Sequence, residues 1–145
     1  MSARIFNQGS LAEMIVKDAK VLAESVIPKR DSDKDPTRSQ IRNFYQEYVT
    51  IRQGIPQGNQ EAYKKKEVAI KMLIAKAEYA AGRKNAKINA VFKNWLVNNI
   101  KAINGPDDVH KFGDYFEAFV GYFYGITGES GSNQGQQNAG GNRGR

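Results

Sequence analysis

The chain has 145 residues, 40% hydrophobic and 26% charged, a composition typical of one folded domain with a real core. It contains no cysteine, which excludes disulfides, thiolate nucleophiles and the usual structural zinc sites. The net charge of +7 favours a polyanionic partner, because a basic surface attracts phosphate backbones. The first residues lack the apolar run of a signal peptide, and no stretch approaches the roughly 20 apolar residues of a membrane span. We therefore expect a cytoplasmic protein without a membrane partner.

Helical periodicity dominates the chain, and no segment alternates as a strand would. Ser10 and Glu13 have the spacing of a capping box, so the first helix is expected to begin at Ser10 and to end before Pro28. The polar segment 28–36, which contains two prolines, predicts a mobile surface loop. Thr37 and Gln40 repeat the capping spacing and predict the start of a second helix there.

Two more breaks divide the rest of the chain. The sequence GIPQGN at 54–59 precedes a predicted third helix over 60–81, with lysines facing outward and Gly82 as its C-cap. Asn-Gly-Pro at 104–106 then separates a fourth and a fifth helix, with Asp107 or Asp108 in the first turn of the fifth, where a carboxylate favours the helix dipole. The apolar positions that predict the buried face of the fourth helix are Ile88, Val91, Phe92, Trp95, Leu96 and Ile103.

The segment 112–124, FGDYFEAFVGYFY, contains seven of the 15 aromatic residues. Phe112, Phe116, Phe119, Val120 and Phe123 recur at helical spacing, which predicts one buried face, with the tyrosines beside it. A buried core is the favoured interpretation, and a stacking platform for bases is the alternative. The predicted fold class is all-α: a compact bundle of about five helices over 1–124.

The composition changes abruptly after this segment. Residues 125–145 are rich in Gly, Gln and Asn, contain seven of the 14 glycines and have almost no hydrophobic residues. Such a segment cannot offset the entropy of ordering, so we predict a disordered tail. Arg143 and Arg145 could make weak phosphate contacts, but a solubilising tail is the favoured interpretation.

The one histidine, His110, lies near three aspartates on the predicted fifth helix, Asp107, Asp108 and Asp114. His110 and Asp114 share a face and could form half of a metal or acid–base site. The second half is missing, and none of the common catalytic motifs occurs. Helix capping and surface ion pairs explain these residues better, so we expect no catalytic residue, no metal and no cofactor.

Three segments together carry a family resemblance: TRSQIRNFYQEY at 37–48, AEYAAGRK at 77–84 and the aromatic segment 112–124. From about residue 37 to residue 124 the chain resembles the small subunit of type III-A CRISPR-Cas effector complexes, the Csm family of antiviral defence. Helix 1 and the tail lie outside the resemblance. It implies a non-catalytic RNA-binding subunit that self-associates in several copies along the guide RNA–target RNA region. Its other partners would be the backbone subunits and the large subunit.

The resemblance assigns phosphate contacts to Arg42 and Arg83 above all, because a guanidinium presents a planar fork of donors. Lys34 and Arg38 would bring two more cations to the start of the second helix. Lys64, Lys65, Lys71 and Lys84 complete the predicted RNA-binding set, and the alternative for the lysines of the third helix is that they face solvent or an acidic neighbour. Structural alternatives are an Arg42–Glu47 ion pair and Arg83 as a cap of the third helix. Two other functions stay open: a helical DNA-binding or regulatory protein, and a nuclease that uses Asp107, Asp108 and His110.

Overall fold

The computed structural model describes residues 3–27, 37–82 and 89–128. Five helices make up 80% of this part of the chain, which contains no strand, so the all-α prediction is confirmed. The first helix, α1, has three consecutive parts, of which the middle one is π-helical. The helices are α1 (Leu11–Glu13, Met14–Asp18 and Ala19–Ser25), α2 (Thr37–Gln53), α3 (Gln60–Gly82), α4 (Ala90–Lys101) and α5 (Pro106–Thr127).

Side chains at the helix starts explain where these elements begin. The Ser10 hydroxyl accepts a hydrogen bond from the Glu13 N–H, as the capping spacing predicts, but the Glu13 carboxylate accepts from Arg4 instead of closing the box. Asn89 caps α4 with its side-chain oxygen, which accepts from two N–H groups of the first turn. Asp107 and Asp108 both lie in the first turn of α5, as predicted.

The aromatic face of α5 forms the centre of the core. Phe112, Phe116, Phe119 and Phe123 are fully buried, and the ring of Trp95 on α4 lies with its centroid 5.1 to 5.6 Å from those of the first three. The core interpretation is therefore right, and these phenylalanines offer no ring face for base stacking. Tyr115, which we expected beside the buried face, is also fully buried.

α5 is the helix on which the others converge. It packs against α1 and α2, and α3 completes the bundle by packing along α4. Tyr48 of α2 is fully buried, and its hydroxyl donates to the carbonyl of Val109 at 2.6 Å. Burial raises the pKa of this phenol far above its usual value, so Tyr48 remains a neutral hydrogen-bond donor.

The segment before α1 is part of the core. Phe6 is buried, and its N–H donates to the side-chain oxygen of Asn99, which is itself buried in α4. The hydroxyl of Tyr115 donates to the carbonyl of Arg4 at 2.7 Å, which ties this segment to α5. The periodicity of the sequence did not indicate either contact.

Several details differ from the sequence-based expectations. Val91 is 47% exposed, so it lies outside the buried face of α4. Gly82 is the last residue of α3 and has no left-handed backbone; among the described glycines only Gly58 and Gly128 have positive φ. Gly128 ends α5, which extends three residues beyond the predicted domain boundary at Tyr124.

Other predictions fall on residues that the structure does not describe. These are the loop 28–36, Ile88, and the tail from residue 129, with Arg143 and Arg145. Across the helices that are described, none combines the length and apolar character needed to cross a membrane.

Candidate nucleic-acid interface

Two predicted arginines lie one turn apart at the start of α2. Arg42 is exposed, and its guanidinium lies over the ring of Tyr124, 5.5 Å from the centroid. The hydroxyl of Tyr124 donates to the carbonyl of Arg38 at 3.2 Å, so the last turns of α5 support the first turn of α2. A guanidinium placed over an aromatic ring loses rotational freedom, and the N–H groups at the edge of a guanidinium are the donors that bind phosphate oxygens. We call Arg38, Arg42 and Tyr124 the arginine corner.

The predicted alternative for Arg42 does not occur. Glu47 instead forms an ion pair with Lys76 of α3. Arg42 instead contacts the aromatic ring of Tyr124 on α5.

The helix hairpin α2–α3 determines which cations lie near this corner. The ion pair between Glu47 and Lys76, and the position of Lys66 beside Gly54, show that α2 and α3 run antiparallel. The C-terminal end of α3, Gly82, is therefore at the same end of the hairpin as the arginine corner. Arg83 and Lys84 follow Gly82 directly in sequence and lie outside the described residues, as does Lys34.

Lys64 and Lys65 are at the opposite end of the hairpin. About 16 Å of helix axis separate Arg42 from the end of α2 at Gln53, near which α3 begins. This exceeds the Debye length of about 8 to 10 Å at physiological salt, so the two ends act as separate charged sites. Both lysines are exposed, and Lys64 is 3.7 Å from Glu67 in a surface ion pair.

Lys71 has a different environment from the other predicted cations. Its ammonium group donates to the carbonyls of Ile100 and Ile103, each at 2.8 Å, at the C-terminal end of α4. Such a cation complements the negative end of the helix dipole. Burial lowers the pKa of Lys71. The expectation that the lysines of α3 all face outward is therefore wrong at Lys71, whose contacts join α3 to α4.

His110 and its acidic neighbours form a structural cluster around Arg52. The Nε of Arg52 donates to Nδ1 of His110 at 3.2 Å, and Nε2 of His110 is 2.6 Å from the carbonyl of Ile55. Since Nδ1 accepts, the geometry assigns the proton of the neutral ring to Nε2. Arg52 also forms an ion pair with Asp114 at 2.7 Å. The predicted half-site of His110 and Asp114 is thus occupied by a cation.

The acidic residues at the start of α5 have ordinary capping roles. The Asp108 carboxylate accepts from the N–H of Asn104 at 2.9 Å, and Asp107 is exposed. Within residues 3–27, 37–82 and 89–128, no three histidine, aspartate or glutamate side chains lie close enough to hold a metal ion together.

Sequence reasoning missed two arginines that organise the structure. Arg4 donates to both carboxylate oxygens of Asp18 and to Glu13, and hydrogen bonding to Arg4 is the main reason that the pKa of Asp18 is lowered. Arg52 lies against Gly113, where an added Cβ would be 2.3 Å from its Nη1. The glycine in the middle of an aromatic helix was the available signal, because Gly is otherwise unfavourable at such a position.

The family comparison agrees with this architecture. A family model described as Csm2 Type III-A matches residues 10–127. The chain belongs to the Csm2 Type III-A family. It is therefore a small subunit of a type III-A CRISPR-Cas effector complex, in which it assembles with other subunits. Neither a curated protein nor a solved structure matches the chain.

The Csm2 match covers all five helices, from the Ser10 cap to Thr127 at the end of α5. Our expectation that the first helix lies outside the resemblance is wrong, because the match begins at residue 10. The segment 3–9 stands outside the match, although Phe6 is part of the core.

Proposed function

We propose that this Csm2 chain is a non-catalytic RNA-binding subunit that stacks in several copies along the guide RNA–target RNA region. Lysine and arginine side chains would contact backbone phosphates, and base pairing with the guide would select the target sequence. The other partners would be the backbone subunits and the large subunit. Because the proposed ligand is guide RNA paired with target RNA, the proposed location is the cytoplasm.

The arginine corner is the observation that carries this proposal. Arg42 is exposed in the second turn of α2, and the first turn before it has the backbone N–H groups and the positive end of the helix dipole that favour an anion. Its contact with Tyr124 reduces the entropy lost when the guanidinium binds a phosphate. Arg38 lies one turn before Arg42. In the sequence, Lys34 comes shortly before α2, and Arg83 and Lys84 come directly after α3.

The remaining predicted cations have lesser roles in the proposal. Lys64 and Lys65 would add positive potential at the other end of the hairpin, whereas the ammonium of Lys71 is already bonded to α4. The non-catalytic assignment is supported by membership of a family of structural subunits, and by the engagement of both His110 ring nitrogens with Arg52 and Ile55.

The test uses the effector complex purified from its host with Arg42→Ala in this subunit. Removal of one phosphate contact from each copy should weaken RNA binding uniformly across sequences. The slope of log affinity against log salt concentration, the salt slope, should become shallower by about one unit per contact. Arg42→Lys keeps the charge but loses the planar fork, so it should fall between wild type and Arg42→Ala. Gln46→Ala, one turn away on the same helix, is the matched control.

Unchanged affinity and salt slope in Arg42→Ala and in the double variant with Arg38→Ala would contradict the proposed contact. A preference of the subunit for one DNA duplex sequence would instead support the DNA-binding alternative. Metal-dependent RNA cleavage that Asp108→Ala and His110→Ala abolish would contradict the non-catalytic assignment.

A further inference from the structure

A cleft of about 250 Å³ lies between α2 and α3, at the end of the hairpin where α3 finishes. Phe44 and Ala80 are buried and form its apolar lining, whereas the other side chains that line it all have polar groups. Pockets for small molecules and cofactors typically have volumes of about 300 to 1,000 Å³. The cleft is below that range, which suits one flat ring system rather than a complete cofactor.

Tyr79 of α3 presents an aromatic ring at this cleft and is 69% exposed. Among residues 3–27, 37–82 and 89–128 it is the only exposed aromatic residue, since the others are buried or half-buried. The phenylalanines of α5 have no ring face available for stacking, but Tyr79 does. Exposed aromatic rings on basic proteins are the usual platforms on which single-stranded RNA bases stack.

The charged groups of the cleft are already paired. Glu47 of α2 and Lys76 of α3 both line it, and they form an ion pair with each other. A phosphate or a metal ion would have to compete with that pair for its charged partner. The cleft therefore favours an uncharged ligand.

Two amide side chains indicate that this ligand has polar edges. Gln40 and Asn43 of α2 line the cleft, and within the described part of the chain neither amide forms a hydrogen bond. Each amide offers two N–H donors and a carbonyl acceptor, the groups that pair with the edges of a nucleobase. An apolar side chain of a partner protein would cover these amides without giving them a hydrogen bond, which is unfavourable.

We propose that this cleft binds one unpaired RNA base, which stacks on the ring of Tyr79 and forms hydrogen bonds to Gln40 and Asn43. The inference rests on the proposed RNA-binding function, which supplies the ligand class. A base within the guide–target duplex is stacked on its neighbours and has its pairing edge occupied, so the cleft takes a base that is not paired. Arg42 directly precedes Asn43 on α2, so a phosphate contact and a base contact lie at the same end of the hairpin.

The first test places a photo-crosslinking phenylalanine derivative, which keeps an aromatic ring, at position 79 of the full chain in the effector complex from its host. Nuclease digestion and mass spectrometry then identify the adduct, whether it comes from guide or target RNA. The expected product is an adduct on the base of one nucleotide per bound copy. A crosslink to protein alone, or adducts on the ribose of many consecutive nucleotides, would overturn the proposal. So would an RNA yield no higher than that from the same group at Val68, which is 73% exposed on α3.

The second test adds Gln40→Ala and Asn43→Ala to the chain with the crosslinking residue. The yield of the base adduct should fall at least fivefold, whereas Gln46→Ala on the same helix should leave it unchanged. The melting temperature of the purified subunit reports whether the variant folds, and Asn43→Ala alone, with a smaller loss expected, replaces a double variant that does not. An unchanged yield in a folded variant would refute the role of the amides.

The two RNA proposals can fail separately. Loss of the tyrosine ring in Tyr79→Leu removes no charge, so the salt slope of RNA binding should stay as in wild type, whereas Arg42→Ala makes it shallower. If Arg42→Ala changes the slope but position 79 crosslinks only to protein, the base site alone is refuted. If position 79 gives the base adduct but Arg42→Ala changes nothing, the base site stands and the arginine corner is refuted.

Discussion

Gly113→Ala tests the contact between α2 and α5 at Arg52. A Cβ at this position would be 2.3 Å from Nη1, 2.8 Å from Cζ and 2.9 Å from Cδ of Arg52. Carbon atoms pack at about 3.5 to 4.0 Å, so the Arg52 side chain must move by more than half an ångström along much of its length. That shift breaks its hydrogen bond to His110 and its ion pair with Asp114.

The change in the free energy of unfolding follows from two opposing effects. The two lost contacts cost roughly 2 to 3 kcal/mol together, because both involve the charged guanidinium and the one to His110 is partly buried. Replacing Gly by Ala within a helix returns about 1 kcal/mol. We therefore expect Gly113→Ala to lower the free energy of unfolding by about 1 to 2 kcal/mol, which corresponds to roughly 3 to 6 °C in melting temperature.

Gly121→Ala is the matched control on the same helix. Nothing lies within 4 Å of a Cβ at Gly121, so this substitution should raise stability by up to about 1 kcal/mol. Urea and thermal unfolding of both variants should therefore show changes of opposite sign. In an Arg52→Ala background, Gly113→Ala should also become stabilising. Equal stabilisation by the two glycine substitutions in the wild-type background would refute the reasoning about Arg52.

Phe116→Ala should cost roughly 3 to 5 kcal/mol in urea unfolding, because it leaves a cavity among the rings around Trp95; a loss below 1 kcal/mol would contradict the central position of α5. Asp18→Asn should lower the melting temperature at pH 7. Arg4 lowers the folded-state pKa of this carboxylate, so its ionised form stabilises the fold. This stabilisation is fully present above the ordinary pKa of about 3.9 and is lost as the pH falls through the folded-state pKa. The difference from wild type should therefore shrink toward pH 2, and a constant difference from pH 7 to pH 2 would exclude this origin. Lys71→Met should lower the free energy of unfolding by roughly 1 to 2 kcal/mol and leave RNA binding by the complex unchanged, while the exposed Lys66→Met should not affect unfolding. Intact stability with weakened RNA binding in Lys71→Met would return this lysine to the RNA contact set.

The helices could be predicted because their signals are local. Each signal affects only the one or two helical turns around it. Examples are the cap at Ser10, the proline at the start of α5 and the periodic phenylalanines up to Phe123. Helix boundaries and most of the core follow from such signals.

Contacts between distant residues could not be predicted in this way. The partners of Arg52 are 58 and 62 residues away, and the carbonyls that bind Lys71 are 29 and 32 residues away. Nothing in the periodicity of α3 distinguishes Lys71 from Lys64, since both are lysines on a basic helix. For the same reason, the sequence could suggest that Arg42 binds phosphate but could not show that Tyr124 supports it.

The N-terminal segment constrains when the chain can fold during synthesis. The N–H of Phe6 can form its hydrogen bond to Asn99 only after α4 has formed. The carbonyl of Arg4 accepts from Tyr115, which is 111 residues further along the chain. A nascent chain that lacks α5 would leave Trp95 and Tyr48 without their main aromatic partners and prone to aggregation. We therefore expect folding to finish in a single late step, after the last helix leaves the ribosome. Prematurely ended chains would then fail to fold, and only complete copies would reach the effector complex.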